Sequence, residues 1–302
     1  MIRVVDLSPH QHQRGTPGPD FKRIADDGID AVILRAFEGQ DFDDVPGGYR
    51  FQAHREAAKD AGLFVGSYQL GRGRHDPARL ARLYAEQLGE LGPFELPPAI
   101  DFEGIGFGQG PGSSEKDRLT PGGARDWLVC WVDTMRDLIG RDPMVYVGPG
   151  DWGGWIRGAE FSGAAAASLA RCAHWIAAYR ELKNPPGALY PFGPWRLWQY
   201  TDKARIAGVA GPCDLSVWTG SLDDLASYCA GVSTSEAPTN PDGARRGALR
   251  VVPPAAPWSL DPVVDRHLFH DSTTGPDMSQ PALELPEKPQ AGDSCGEGDG
   301  PR

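Results

Sequence analysis

The feature that most restricts what this 302-residue chain can fold into is a rhythm. From residue 1 to about 230, short apolar runs alternate with amphipathic stretches bordered by glycine or proline. Each run suits one strand, and several of the stretches between them carry apolar residues at three-to-four spacing, so the pattern calls for an α/β architecture. The strand-like runs are Ile2 to Leu7, Ala31 to Ala36, Leu63 to Leu70, Pro98 to Phe102, Met144 to Val147, Trp175 to Tyr179, Arg196 to Tyr200 and Cys213 to Trp218. Eight such runs suggest a sheet closed into a barrel. Helices are expected over Phe21 to Asp27, Tyr49 to Ala61, Pro77 to Leu91 and Gly122 to Ile139, with Pro77 and Pro121 placed where a first helical turn tolerates proline. After the sixth run the connections shorten or turn Gly/Pro-rich. The last three strands should therefore lack full crossover helices, and the barrel should be irregular.

From Gly231 onward the composition shifts to Pro, Ser, Thr, Gly and acidic residues without periodicity, so residues 231–302 are expected to be a largely disordered tail following a folded unit of residues 1–230. Only Ala248 to Trp258 breaks that trend, as a short apolar segment, and the tail contains no repeat of a wall-binding kind. The formal charge of −11 argues against a general nucleic-acid binder, which needs a basic stripe to displace counterions. No span reaches transmembrane length. The first apolar run is broken by Arg3 and Asp6, so no secretory leader is expected there. The five cysteines (Cys130, Cys172, Cys213, Cys229, Cys295) are widely spaced with no CxxC, and read mostly as buried thiols, a Cys213–Cys229 disulfide being left open.

In α/β barrels chemistry gathers at strand ends. Here the first run ends Val-Val-Asp-Leu-Ser, the second reaches Arg35-Ala-Phe-Glu38, the fourth reads Ala-Ile-Asp101-Phe102-Glu103, the seventh Trp198-Gln199-Tyr200 and the eighth Cys-Asp214-Leu-Ser. In the fourth, period-two alternation turns Asp101 and Glu103 to one side and Phe102 to the other. Neighbouring carboxylates cannot both ionise freely, so one keeps its proton to higher pH and can act as a general acid, as glycoside hydrolysis requires. A solvated strand end is the plainer reading of the triplet alone. Asp6 and Asp214 strengthen the functional one, since the first and eighth strands of a closed barrel are neighbours. Four acids at one mouth are costly and mark a functional site, with cation binding as the lesser reading because no dedicated calcium-loop spacing is present. Aromatic residues crowd the same region: Tyr68, Tyr146, Trp152, Trp155, Trp175, Tyr179, Trp195, Trp198, Tyr200 and Trp218. Singly these are packing residues; beside acids they suit a sugar groove.

Taken in order, these pieces resemble glycoside hydrolase family 25, the Chalaropsis-type lysozymes. The resemblance rests on Val5-Asp6-Leu7-Ser8 with His10-Gln11, Gly28 to Gly39, Ala61-Gly62-Leu63 leading into Val65-Gly66-Ser67-Tyr68, and Leu96 to Glu103. It continues through Tyr146-Val147-Gly148-Pro149, Trp175-Ile176-Ala177, Trp198-Gln199-Tyr200 and Asp214 to Trp218. It implies an irregular, flattened TIM-like (β/α)5(β)3 barrel and cofactor-free cleavage of the β-1,4 bond between N-acetylmuramic acid and N-acetylglucosamine. By position it gives Glu103 the general-acid role, matches Asp6, Asp101 and Asp214 to the other acidic site residues, and puts Tyr68, Trp198 and Tyr200 along the groove. Tyr146, Gln199, Arg35 and Glu38 complete the expected substrate contacts. Retention of configuration is implied, with Asp101 either attacking or orienting the substrate's N-acetyl group.

Three departures bear on the groove: Gln69-Leu70-Gly71 replaces a histidine and an aromatic residue after the tyrosine, Phe37 replaces a threonine before Glu38, and the stretch from Gly104 to Pro121 is long. That long stretch could cover or reshape the groove. The expected partner is the peptidoglycan strand, met by a monomer without membrane insertion or a metal. With no leader, delivery is expected by another export route or by release as a phage endolysin through a holin-type pore. Two other readings stay open: a catalytically silent glycan-binding or phage-structural barrel, and a glycosidase acting on a different polymer such as chitin.

Overall fold

A computed structural model describes residues 1–231; the tail expectation, including Ala248 to Trp258, lies outside the described residues apart from Gly231. Among the described residues nine strands are formed: β1 (Ile2–Leu7), β2 (Ala31–Glu38), β3 (Asp41–Phe42), β4 (Phe64–Leu70), β5 (Ala99–Asp101), β6 (Met144–Val147), β7 (Ala173–Ala177), β8 (Leu197–Ala204) and β9 (Cys213–Trp218). Their order is β1-β9-β8-β7-β6-β5-β4-β2-β3, and β1 also pairs with β2, so eight strands close into a barrel while the two-residue β3 hangs on β2 as an edge. β1, β2 and β4 to β8 pair in parallel, whereas β9 runs antiparallel to both of its neighbours. The cause is the eight residues between β8 and β9: a parallel crossover needs a dozen or more, so a connection this short can only double back.

The helices are α1 (Phe21–Asp26), α2 (Phe51–Asp60), α3 (Pro77–Leu88), α4 (Pro121–Ile139), α5 (Pro149–Gly153), α6 (Gly163–Arg171) and α7 (Leu222–Cys229). The side chains of Asp20, Asp76 and Thr120 accept the backbone N–H groups of Arg23, Arg79 and Gly123, which ties down the starts of α1, α3 and α4. Gly140, at φ 67°, closes α4 in the left-handed region where glycine is favoured. α1 to α4 coincide with the expected helices, and α3 ends three residues early at Leu88. α6 has no counterpart in the sequence reading, because Gly-Ala-Ala-Ala-Ala-Ser-Leu-Ala-Arg buries only Leu169 and so carries no apolar stripe. α7 is set by Ser221 and Asp224, whose side chains cap each other's backbone N–H groups.

Alternation along the strands sorts the core into two layers. Val4, Ala31, Ile33, Ala99, Met144, Trp175 and Leu197 fill the barrel interior. Val5, Val32, Leu34, Ile100 and Val145 face outward, in the layer that also contains Phe51, Leu80, Tyr84, Leu128 and Trp131 of the helices. Polar pairs lock the outer layer. Arg55 of α2 donates to both oxygens of Glu95, at 2.6 and 2.9 Å, both residues being buried. Gln69 is fully buried; its Nε2 donates to the Gly39 carbonyl at 2.7 Å, and its Oε1 accepts the Trp131 indole N–H at 2.8 Å. Cys172, Cys213 and Cys229 are buried free thiols, so the Cys213–Cys229 disulfide is not formed. Burial pushes each of these three thiols up to about 12, which keeps them in the unreactive protonated form.

Candidate active site

At the C-terminal ends of the parallel strands lies a cleft of about 330 Å³ that contains Asp6, Asp101, Glu103 and Asp214 together. Each arrives by a simple rule. Asp6 continues the inward set of β1 begun by Ile2 and Val4, and Asp101 continues that of β5 begun by Ala99. Asp214 sits directly across from Asp6 in the antiparallel β1–β9 ladder. Glu103 follows β5 with its backbone still extended (φ −116°, ψ 149°), so it keeps the alternation and faces the cleft beside Asp101, while Phe102 is driven into the outer layer.

The acids are not equivalent. Burial, then the charge of Asp151, then that of Asp214 raise Glu103 to about 7, so near neutral pH it is poised between holding and releasing its proton. Burial first and the charge of Glu103 second raise Asp101 well above the usual aspartate range; the Arg35 guanidinium opposes them. Asp101 Oδ1 is buried and has no hydrogen-bond partner. Asp6 is raised well above the usual aspartate range by burial and by its neighbour Asp214, and Asp214 is itself raised by burial, so the facing pair holds protons more tightly than free aspartates do. Gln199 fixes the geometry of that pair. Its Oε1 accepts the hydroxyls of Tyr146 at 3.0 Å and Tyr179 at 3.2 Å, so its Nε2 must turn to Asp6 Oδ2, at 3.0 Å.

Trp175 forms the floor. Tyr146 and Tyr68 meet it edge-on, with ring centroids 4.7 and 6.1 Å away, and its indole N–H donates to Ser216 Oγ at 3.1 Å. Arg35, also in the cleft, is tied to Asp43 and lies 3.6 Å from Glu38. Among the described residues, no group of three or more His, Cys, Asp or Glu is arranged to hold a metal ion.

The expected set is therefore split. Asp6, Asp101, Glu103, Asp214, Tyr68, Tyr146, Gln199 and Arg35 line the cleft, whereas Trp198, Tyr200 and Glu38 do not. Gln199 is the inward residue of its strand, so Trp198 and Tyr200 point the other way. Trp198 is fully buried against Trp195 and Tyr200, and donates its indole N–H to the Ala178 carbonyl at 2.7 Å. Glu38 pairs with Arg72 and Arg35 outside the cleft lining. An irregularity in the β2–β4 register between Arg35 and Phe37 turns Phe37 into the outer layer, where it packs on Phe42 and Tyr84.

Of the departures noted in the sequence, Leu70 reaches the cleft and Gln69 does not. The long stretch after Glu103 folds back on the body: Phe107 stacks on Trp155, the fully buried Asp117 pairs with Arg74 at 2.9 Å, and Ile105 alone of that stretch lines the cleft. Sequence reasoning missed His10, Gln11 and Asp151 as neighbours of the acids. For Asp151 the available signal was an acid four residues beyond the end of an apolar run, too common a pattern to single out.

Residues 5–209 match the model of the family described as Glycosyl hydrolases family 25. Lysozyme M1 of Streptomyces globisporus is 24% identical over 231 residues, spanning 74% of this chain and 70% of that protein. Among solved structures, the bacterial lysozyme from Streptomyces coelicolor superposes with a TM-score of 0.64 at 21% identity, covering 77% of this chain and 98% of its own. The muramidase from Trichobolus zukalii does so with a TM-score of 0.60 at 25% identity, covering 77% and 100%.

Proposed function

The chain belongs to glycosyl hydrolases family 25, and on that premise we propose that it is a peptidoglycan hydrolase, an N-acetylmuramidase that cleaves the β-1,4 bond between N-acetylmuramic acid and N-acetylglucosamine. The observation that carries this reading is the inequality of the cleft acids. Glu103 holds a transferable proton near pH 7, beside an Asp101 whose Oδ1 has no partner in the protein. In the reaction so read, Glu103 protonates the glycosidic oxygen as the C–O bond to the muramic acid breaks. The ionised carboxylate of the cleft acids, Asp101 in its deprotonated form, stabilises the positive charge growing on the sugar, and water then completes hydrolysis while returning a proton to Glu103. Retention of configuration follows whether Asp101 attacks the anomeric carbon or accepts the acetamido N–H so that the substrate's own N-acetyl oxygen attacks it. Tyr68, Tyr146 and Trp175 supply ring surface for the sugar C–H faces. The unpartnered Asp101 Oδ1 suits the N–H of an acetamido group, a feature that peptidoglycan and chitin share.

Digesting purified peptidoglycan and identifying the new reducing end tests the reading. A muramic-acid end is expected; a glucosamine end, or products from chitin alone, would reassign the specificity, and no new reducing ends would leave a silent barrel. Residues 1–230 are proposed to carry the activity by themselves. A chain ending at residue 231 should then release reducing ends at the full-length rate, and a large loss would make residues 232–302 part of the working unit. No described helix is long and apolar enough to cross a membrane. Release as an endolysin through a holin-type pore is the proposed delivery: expression inside a susceptible cell should cause lysis only when a pore-forming protein is co-expressed.

A further inference from the structure

Outside the cleft lining, one carboxylate is built into the support of Glu103. Asp151 lies in the first turn of α5, just beyond the end of β6, and its Oδ1 accepts the backbone N–H of Gly104 at 3.0 Å. That N–H belongs to the peptide that follows Glu103. The contact is close because residue 104 is glycine: a Cβ there would stand 2.9 Å from Asp151 Oδ1 and 3.1 Å from the Trp155 indole nitrogen. α5 is itself held firmly. The next residue, Trp152, is buried against Phe161 and Phe192, its indole N–H donates to the Tyr190 carbonyl at 2.7 Å, and Phe102 of the acid triplet packs against both Trp152 and Trp155.

We propose that Asp151 is a positioning residue for the acid of the reaction proposed above: its carboxylate fixes the Glu103–Gly104 peptide and sets a negative charge beside the acid. The inference rests on the muramidase reading for its functional consequence, but not for its physical content. The charge of Asp151 ranks directly after burial among the influences that raise Glu103, ahead of Asp214 inside the cleft. The other titratable or charged groups lining the cleft with Glu103 are Asp101 on β5, Asp6 on β1, Asp214 on β9, Tyr68 on β4, Tyr146 on β6, Tyr179 just past β7, Arg35 on β2, and His10 just past β1. Arg35 is engaged with Asp43 and Glu38, and His10 acts on Asp214 and Asp43, while the influences on Glu103 are burial, Asp151 and Asp214.

The test separates charge from scaffolding. Asp151→Asn keeps an oxygen for the Gly104 N–H and removes the charge; Asp151→Ser does the same with a shorter side chain, should the amide pack poorly. The Glu103 carboxyl is followed by carbon-13 NMR through pH in the wild-type and variant chains, and the alkaline limb of kcat/KM is measured on peptidoglycan. The expected result in either neutral variant is that the Glu103 midpoint and the alkaline limb move together to lower pH, by on the order of one pH unit. A folded variant whose Glu103 midpoint stays at the wild-type value would overturn the proposal and leave Asp151 a purely structural cap. If the wild-type chain failed to hydrolyse peptidoglycan, the muramidase reading would fall, and the NMR titration would still decide the link between Asp151 and Glu103.

Discussion

Replacing Glu103 by Gln should make the protein more stable and nearly inactive, with the gain in stability confined to one pH range. Glu103 is raised from the ordinary glutamate value of 4.5 to about 7. Between those values the native state holds a proton that the unfolded chain has released, so unfolding free energy falls as pH rises through that window and then levels off. At about 1.36 kcal/mol per pH unit the accumulated loss is about 3 kcal/mol by pH 8. Glutamine is neutral at every pH and nearly the same shape, so it does not suffer that loss. It also removes the like charge that helps to raise Asp101, which adds to the gain with the same sign. The variant should match wild type at pH 4 and exceed it by about 3 kcal/mol at pH 8, or roughly 6–12 °C in Tm for a domain of this size. Release of reducing ends from peptidoglycan should drop by about 10²–10⁴, the usual worth of a positioned acid. Thermal melts at both pH values check the stability claim. A difference that is the same at pH 4 and pH 8, or a variant less stable at pH 8, would refute the reasoning.

Asp6→Asn should fold normally, because the amide can donate to Asp214 and accept from Gln199; since Asp6 is raised in the native state, Tm should decline less toward alkaline pH than in wild type, while hydrolysis weakens. Gln69→Leu strands the Trp131 indole N–H and the Gly39 carbonyl in a buried layer and should cost about 2–4 kcal/mol by urea denaturation. Glu95→Gln leaves the buried Arg55 guanidinium without its counter-charge, and a loss of about 3–5 kcal/mol is expected in the same assay at pH 7. Glu95 is held below the ordinary 4.5 by the Arg55 hydrogen bond, despite burial. Its contribution is therefore present above that value and fades as pH falls through the depressed native value, so the gap between this variant and wild type should narrow in acid.

Much of this protein could be read without coordinates because its information is periodic. β1, β6 and β9 fall on the residues expected of them, and α1 to α4 coincide with stretches whose apolar spacing or capping residues mark them. The pairing of Asp101 with Glu103, and of both with Asp6 and Asp214, follows from strand alternation plus barrel closure, two rules that act on the sequence directly.

What alternation could not say is which of the two faces each strand turns inward where residues of both kinds occur. Trp-Gln-Tyr in β8 fits a groove of rings or a buried pair of rings equally well, and closure against β9 turned Gln199 in and Trp198 and Tyr200 out. The direction of β9 was set by the short link before it, and the outward turn of Phe37 by a local register shift. The acids themselves were legible in the chain, but the raised proton affinity of Glu103 was not. That shift depends on burial and on the charge of Asp151, brought to the peptide after Glu103 from 47 residues away. Sequence determines which groups a strand presents; only closure of the fold decides how far each is taken from water and which charge lies beside it, and those two quantities set how tightly a carboxyl such as Glu103 holds its proton.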